Sequence, residues 1–180
     1  EGIELRVHPC LVPGSRLIAN VEGVMNAVLV EADAVGQTLY YGAGAGSQPT
    51  ASAVIADLVD VARLITADPG HRVPHLGFQP DRMGDTPILP MDDVQSGYYL
   101  RLRLADRPGV LADVTRILAD EEVSIDAALQ QEPGEAEDQA DFVVLTHITT
   151  ERAVQSAIQR ISQLKSCEAP VVMLRVERLS

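Results

Sequence analysis

The sequence predicts a mixed α/β chain whose second half belongs to the α+β class. Leu100, Leu102 and Leu104 alternate with arginines, as in a strand with one buried face. Apolar residues recur at helical spacing in two later segments, which begin near Val110 and Glu151. Because aromatic residues make up only 3% of the chain, we expect an aliphatic core.

Residues 1–66 form the first predicted segment, which begins with strands. Residues 3–7 alternate with period two and predict a strand that nearby prolines end. Residues 17–21, 24–30 and 38–41 are short apolar stretches with β-branched or aromatic content, and we expect a strand at each.

A glycine-rich turn and a helix end this segment. The turn contains Gly42, Gly44 and Gly46, and the helix that follows has Ser47 and Thr50 as candidate caps. Its predicted inward face is apolar and consists of Ala51, Val54, Ile55, Leu58, Val61, Ala62 and Ile65.

Residues 67–96 are a predicted linker, because recurring prolines and glycines leave no helical or strand period. We expect extended structure there rather than a flexible tether. His71 and His75 have the spacing of a helical metal pair, but Pro74 lies between them. We therefore interpret them as linker histidines and predict no metal site.

Residues 97–180 have the clearest pattern, with an acidic loop predicted at 132–139. Strands are predicted at 100–104, 124–129, 142–148 and 171–176, and helices at 110–118 and from 151 onward. This β-α-β-β-α-β order is that of the ferredoxin-like unit, a four-stranded antiparallel sheet with both helices on one face. The other face stays uncovered in one copy, which favours association through the sheet.

Charge and composition exclude several classes of function. The formal net charge of −12, without a basic cluster, argues against binding to nucleic acid or anionic membrane. There is no apolar run long enough for a membrane span. Cys10 and Cys167 are far apart and form no CxxC motif, so we expect reduced thiols in a cytoplasmic protein. The chain begins at Glu1 rather than Met, and we expect it to be a piece of a longer protein.

The loop at Asp106 has the residues expected of an amino-acid site. Pro108 and Gly109 make a tight entry to the helix at Val110, whose free N–H groups can receive a carboxylate. The Asp106 side chain can accept an ammonium group. The alternative is that Asp106 only caps the helix.

The run Asp106-Arg107-Pro108-Gly109-Val110-Leu111, within this order of elements, resembles the ACT domain, a regulatory module of amino-acid metabolism. The resemblance covers residues 98–177. It implies pairing of ACT sheets, as a homodimer or higher oligomer, and an amino-acid effector bound near Asp106, Gly109, Val110 and Leu111.

The glycine turn has its own chemical content. It lacks the GxGxxG pattern of a Rossmann fold, but glycines let a ligand approach the backbone, and a helix N-terminus follows. The alternative is a tight strand–helix turn whose glycines serve close packing.

This turn, with residues 21–28 and His8-Pro9, resembles the end of the homoserine dehydrogenase catalytic domain. The match covers residues 3–65, and the ACT-like half follows in the order of the bacterial form. The resemblance implies hydride transfer between NAD(P) and the homoserine/aspartate-semialdehyde pair, with Gly46 and then Gly44 as cofactor contacts. It also implies threonine as the effector.

The same resemblance shows what this sequence does not contain. The family's GxGxxG domain and catalytic lysine are absent, so we assign no catalytic residue and expect neither activity nor bound cofactor for the chain alone. The sequence predicts three parts: residues 1–66 from the catalytic domain, the 67–96 linker and a 97–180 ACT domain. Two alternatives remain, namely a non-enzymatic amino-acid-binding module and another ACT-bearing dehydrogenase, such as one acting on phosphoglycerate.

Overall fold

The computed structural model describes residues 2–67, 77–78, 81, 84–130 and 139–178. The chain forms two compact units, one from 1–13 with 86–180 and the other from 14–85. The predicted first part, 1–66, is therefore shared between the units. Among the described residues, no helix is both long and apolar enough to cross a bilayer. Residues 132–138 of the predicted acidic loop and the histidines of the linker lie outside the described residues, and Gln139 already begins a strand.

The larger unit contains the predicted β-α-β-β-α-β order. Its elements are β4 (Gln95–Ala105), α2 (Val110–Asp120), β5 (Ile125–Gln130), β6 (Gln139–Thr146), α3 (Glu151–Ile161) and β8 (Val172–Val176). The strand order is β8-β4-β6-β5 with every neighbour antiparallel, and the two-residue strand β7 (Thr149–Thr150) also pairs with β4. The ferredoxin-like prediction is confirmed.

The core of this unit lies between the sheet and the two helices. Leu100, Leu102 and Leu104 are almost fully buried, as their alternation predicts, and they pack with the apolar faces of α2 and α3. Thr150 caps α3, because its hydroxyl accepts a hydrogen bond from the Ala153 amide at 3.3 Å. Removal of this aliphatic surface from water is the main term that stabilises the unit.

The N-terminal segment differs from its prediction. Residues 3–7 make one isolated bridge, from Ile3 to Ile88, rather than a strand. The strand is instead β1 (Cys10–Leu11), which pairs in parallel with β8. Ile3 exchanges backbone hydrogen bonds with Pro87 and Leu89, but the ladder to β8 forms only at Cys10 and Leu11, so residues 4–7 belong to no strand.

Among its described residues, the smaller unit contains an antiparallel hairpin, an α-helix and a short 3₁₀ helix. The hairpin strands β2 (Met25–Ala32) and β3 (Gly36–Ala43) and the helix α1 (Ser47–Thr66) confirm three predicted elements. The strand predicted at 17–21 is wrong, because Leu17–Asn20 forms a 3₁₀ helix. The helix has no buried residue among those described, so its apolar face is exposed.

Candidate effector pocket and glycine turn

The chain turns sharply where β4 leads into α2. Gly109 is the residue before the helix and has φ 93°, a left-handed conformation that glycine adopts without steric cost. The helix begins at Val110 and keeps its polar face outward. The Asp-Arg-Pro-Gly loop therefore holds the first turn of α2 over the end of the sheet.

A cavity of about 330 Å³ opens at this turn. Its walls come from the loop, the start of α2 and the ends of β5 and β6, and its lining residues are Leu104, Ala105, Asp106, Arg107, Pro108, Gly109, Val110, Leu111, Gln130, Ala140 and Phe142. The volume is within the lower range for sites of small molecules. All four residues predicted to contact an effector line it.

The first turn of α2 offers unused hydrogen-bond donors to this cavity. Within the described ranges, the N–H groups of Gly109 and Leu111 have no acceptor, whereas the Asp113 amide already donates to the Gly109 carbonyl at 3.1 Å. The start of a helix carries partial positive charge. These N–H groups can therefore bind a carboxylate.

Asp106 supplies the opposite charge on the same cavity. Its Oδ1 accepts a hydrogen bond from Gln130 Nε2 at 3.3 Å, and its side chain does not cap α2. The helix-cap alternative is thus not what the structure shows. Free amide donors and a carboxylate acceptor on one cavity suit a zwitterion, with α-carboxylate and α-ammonium at its two ends.

Sequence reasoning missed two parts of this cavity. Gln130 and Phe142 lie on strands β5 and β6, far from the Asp106 motif in sequence. Each looks like an ordinary strand residue, and only the antiparallel pairing of β4, β5 and β6 brings them to the loop.

The glycine turn has a different geometry. The Gly44 amide donates to the Val24 carbonyl at 3.1 Å, and a Cβ added at Gly44 would lie 1.7 Å from Asn26 Nδ2. Gly44 therefore serves close packing against Asn26, and its amide is not open to a ligand. For Gly44, the structure therefore agrees with the alternative in which the glycines of this turn serve close packing.

Gly46 keeps the features expected of a ligand contact. It precedes α1 with φ 117°, and a Cβ added there would meet only the Pro49 ring, at 3.4 Å. In the described part of the chain, the first-turn amides of Ser47 and Gln48 have no acceptor. Neither predicted cap forms, since Thr50 Oγ1 donates to the Gly46 carbonyl instead. An anionic group could approach this turn closely.

A buried charge cluster lies in the larger unit, and its residues do not line the Asp106 cavity. Arg175 forms two hydrogen bonds with Glu151, which also accepts hydrogen bonds from Tyr98 and Gln155. Burial acts to raise the pKa of Glu151, but these hydrogen bonds and the Arg175 charge bring it below its ordinary value. Burial, and then the bond to Glu151, raise the pKa of Tyr98.

The described residues contain no cluster that could hold a metal ion.

Two family models match the chain, each over one part of it. The model described as "Homoserine dehydrogenase" matches residues 1–59, and the model described as "ACT domain" matches residues 98–166. The first match includes β1, so the family boundary and the boundary of the compact units do not coincide.

Homoserine dehydrogenases are similar to this chain along its whole length. The enzyme of Neisseria gonorrhoeae is 55% identical over 99% of the chain, and that of Pseudomonas aeruginosa is 53% identical over 100%. A crystal structure of the Thiobacillus denitrificans enzyme has a TM-score of 0.87 and 63% identity over 99% of the chain. The chain spans about two fifths of each, 41%, 42% and 40% respectively.

Proposed function

Because this chain belongs with the C-terminal regions of homoserine dehydrogenases, we propose that it is the regulatory end of such an enzyme and senses an amino acid. The observation that carries this proposal is the Asp106 cavity, which is lined both by free amides at the start of α2 and by a carboxylate. The effector we propose is L-threonine, an end product of the pathway that homoserine enters.

The cavity has the chemistry that threonine requires. The N–H groups of Gly109 and Leu111 would hold its α-carboxylate, and Asp106 would hold its α-ammonium. Phe142 and Leu104 would provide apolar wall for the side-chain methyl group, and the Gln130 amide oxygen would accept a hydrogen bond from the threonine hydroxyl. Leucine has no hydroxyl group for Gln130, and lysine would place a charge on the apolar wall.

For the complete protein we propose the NAD(P)-dependent interconversion of L-homoserine and L-aspartate 4-semialdehyde. NAD(P) would supply the hydride acceptor, and Gly46 would lie against it with the Ser47 and Gln48 amides nearby. Oligomerisation through the ACT sheet, as a dimer or higher, and a cytoplasmic location complete the proposal.

The sensing proposal is tested by thermal unfolding of the 180-residue chain with each of the twenty amino acids. We expect L-threonine to raise the melting temperature and Asp106→Ala to abolish most of that rise. Asp113→Asn is the matched control, since it removes a carboxylate from the same first turn of α2 but does not line the cavity. A shift that survives Asp106→Ala, or none with any amino acid, would contradict the proposal.

The catalytic proposal is tested separately with the complete protein and this chain. We expect NAD(P)H formation from homoserine by the complete protein only, because the chain has no catalytic lysine or GxGxxG domain. In the complete protein, Gly46→Val should raise the KM for NAD(P), since a branched side chain would occupy the approach at φ 117°. A complete protein that binds an amino acid but no NAD(P) would favour the non-enzymatic regulatory module.

A further inference from the structure

The segment 2–13, which we call the latch segment, lies along the larger unit and is held at both ends by backbone hydrogen bonds. Near its start, the Ile3 amide donates to the Pro87 carbonyl at 2.9 Å, and the Leu89 amide donates to the Ile3 carbonyl at 3.0 Å. Near its end, β1 pairs with β8, and the Glu177 amide donates to the Leu11 carbonyl at 2.9 Å. The latch segment thereby covers the edge of β8.

The side chains between these two ends alternate. Leu5 and Val7 are exposed, whereas Arg6 and His8 are half-buried against the unit. Arg6 pairs with Glu177 at 3.2 Å and with Glu4 at 3.4 Å. Between the two hydrogen-bonded ends, the inward face of the latch segment is therefore polar.

His8 lies in this polar interface without a hydrogen-bond partner for one ring nitrogen. Its Nδ1 is buried and has neither donor nor acceptor among the described residues. The charges near it are Arg6 on its own segment, Arg175 and Glu177 at the end of β8, and Glu151 at the start of α3. Two cations and two carboxylates therefore act electrostatically on the ring.

The carboxylates of Glu151 and Glu177 already interact with other side chains. Glu151 accepts two hydrogen bonds from Arg175 and one each from Tyr98 and Gln155, and Glu177 is paired with Arg6. A proton on His8 Nδ1 would therefore be buried with no acceptor. Burial, and after it the Arg175 and Arg6 charges, lower the pKa of His8 from its ordinary 6.5, against the opposing effect of Glu177 and Glu151.

We propose that the latch segment is docked on the rest of the larger unit while His8 is neutral and is released when His8 gains a proton. Release frees the imidazolium to reach water and leaves the β8 edge open. Docking is unaffected by pH above the ordinary His8 value of 6.5. It weakens as pH falls below that value, by about tenfold per unit, until the pKa of docked His8 is reached.

The latch segment lies directly before the smaller unit in the sequence. The latch segment ends at Pro13, and the smaller unit begins at the next residue. The other end of that unit leads into residues 86–90, which bond to the latch segment at Ile3. Acidification would thus release the part of the chain that directly precedes residue 14 in sequence.

Amide hydrogen exchange of the 180-residue chain tests the proposal. The Glu177 and Leu89 amides donate to the latch segment, so their protection factors, corrected for intrinsic exchange, report docking. From pH 7.5 to 5.5 we expect both factors to fall, with the loss confined to pH below 6.5 and no steeper than about tenfold per pH unit. The Val123 amide, which bonds to Leu118 within the core, is the internal reference and should not change.

Two variants separate His8 from general effects of acid. His8→Gln cannot take up a proton, and we expect its Glu177 and Leu89 protection to be independent of pH. His147→Gln changes an exposed histidine of the same unit and should keep the wild-type response. If the protection factors of Glu177 and Leu89 fall equally in His8→Gln, or do not fall in the wild type, the proposal is overturned.

A direct titration covers the case in which His8→Gln fails to dock at any pH. The His8 ring resonance of the wild-type chain, followed by NMR, should have a midpoint below 6.5 and should change together with the Glu177 amide. A midpoint at or above 6.5, or a His8 transition that leaves the Glu177 amide unaffected, would equally overturn it.

Discussion

Arg175 and Glu151 form a buried, two-point ion pair that joins β8 to the first residue of α3. Arg175 Nη2 lies 2.6 Å from Glu151 Oε1, and Arg175 Nε lies 2.9 Å from Oε2. Glu151 is 3% exposed, and both of its oxygens accept a further hydrogen bond, from Gln155 and Tyr98. This pair fixes the last strand, the last helix and the surface on which the latch segment docks.

Removal of the arginine should destabilise the larger unit strongly. Arg175→Met leaves the Glu151 carboxylate buried without a cation, and we expect a loss of about 3–5 kcal/mol in the free energy of unfolding. The matched control is Arg152→Met, because Arg152 pairs with Asp93 on the surface. We expect this variant to lose only about 0–1 kcal/mol in the free energy of unfolding. Urea unfolding measures both, and similar losses in the two variants would contradict the assignment.

Acid should act on the same pair through Glu151. Its pKa is below the ordinary 4.5 when folded, so the stability it contributes is complete above 4.5 and is lost as pH falls through the folded value. We expect the wild type to lose stability steeply below about pH 4.5, and Glu151→Gln to have a shallower slope there. Urea midpoints measured from pH 7 to pH 3 give the two slopes, and parallel curves would be the contrary result.

Two glycines of one turn should differ in how much a substitution by alanine destabilises the protein. Gly44→Ala brings a Cβ against the Asn26 side chain, and we expect it to destabilise the smaller unit by about 1–3 kcal/mol. Gly42→Ala should be nearly neutral, because nothing lies within 4 Å of its added Cβ. Asn26→Ala should relieve the effect of Gly44→Ala in the double variant. Equal effects at Gly42 and Gly44 in thermal unfolding would refute the packing role.

Gly109→Ala tests the turn that holds the effector pocket. An alanine at φ 93° is strained, at a cost of about 1–2 kcal/mol, and any relaxation moves the first amides of α2. We expect a lower melting temperature together with a smaller rise on addition of threonine. Gly97→Ala is the control, since its added Cβ would meet the nearest atoms at 3.6 Å without backbone strain. Loss of stability in Gly97→Ala alone would be inconsistent with this view of the turn.

The sequence predicted most of the larger unit because its signals are local. Alternating leucines, the Thr150-Glu151 helix start and the Asp106 loop each specify structure through neighbours in the chain. The β-α-β-β-α-β order then leaves few possible topologies. For the same reason the loop side of the pocket was predictable residue by residue.

The remaining features depend on contacts between distant parts of the chain. Residues 3–7 have the alternation of a strand, yet their pairing is decided by where the β8 edge lies, which no local pattern encodes. Gln130 joins the pocket only through strand pairing. The apolar stretch at 17–21 is too short for its pattern to tell a strand from the 3₁₀ helix that the structure contains there.

The central claim is that the Asp106 pocket recognises both charged ends of an amino acid, and calorimetric titration tests it most directly. The 180-residue chain is titrated with L-threonine, with N-acetyl-L-threonine, which has no ammonium for Asp106, and with L-threonine amide, which has no carboxylate for the Gly109 and Leu111 amides. We predict saturable binding of L-threonine and at least about tenfold weaker binding of each derivative, since each loses a charge-assisted hydrogen bond. No heat with L-threonine, or equal affinity for all three compounds, would contradict the account.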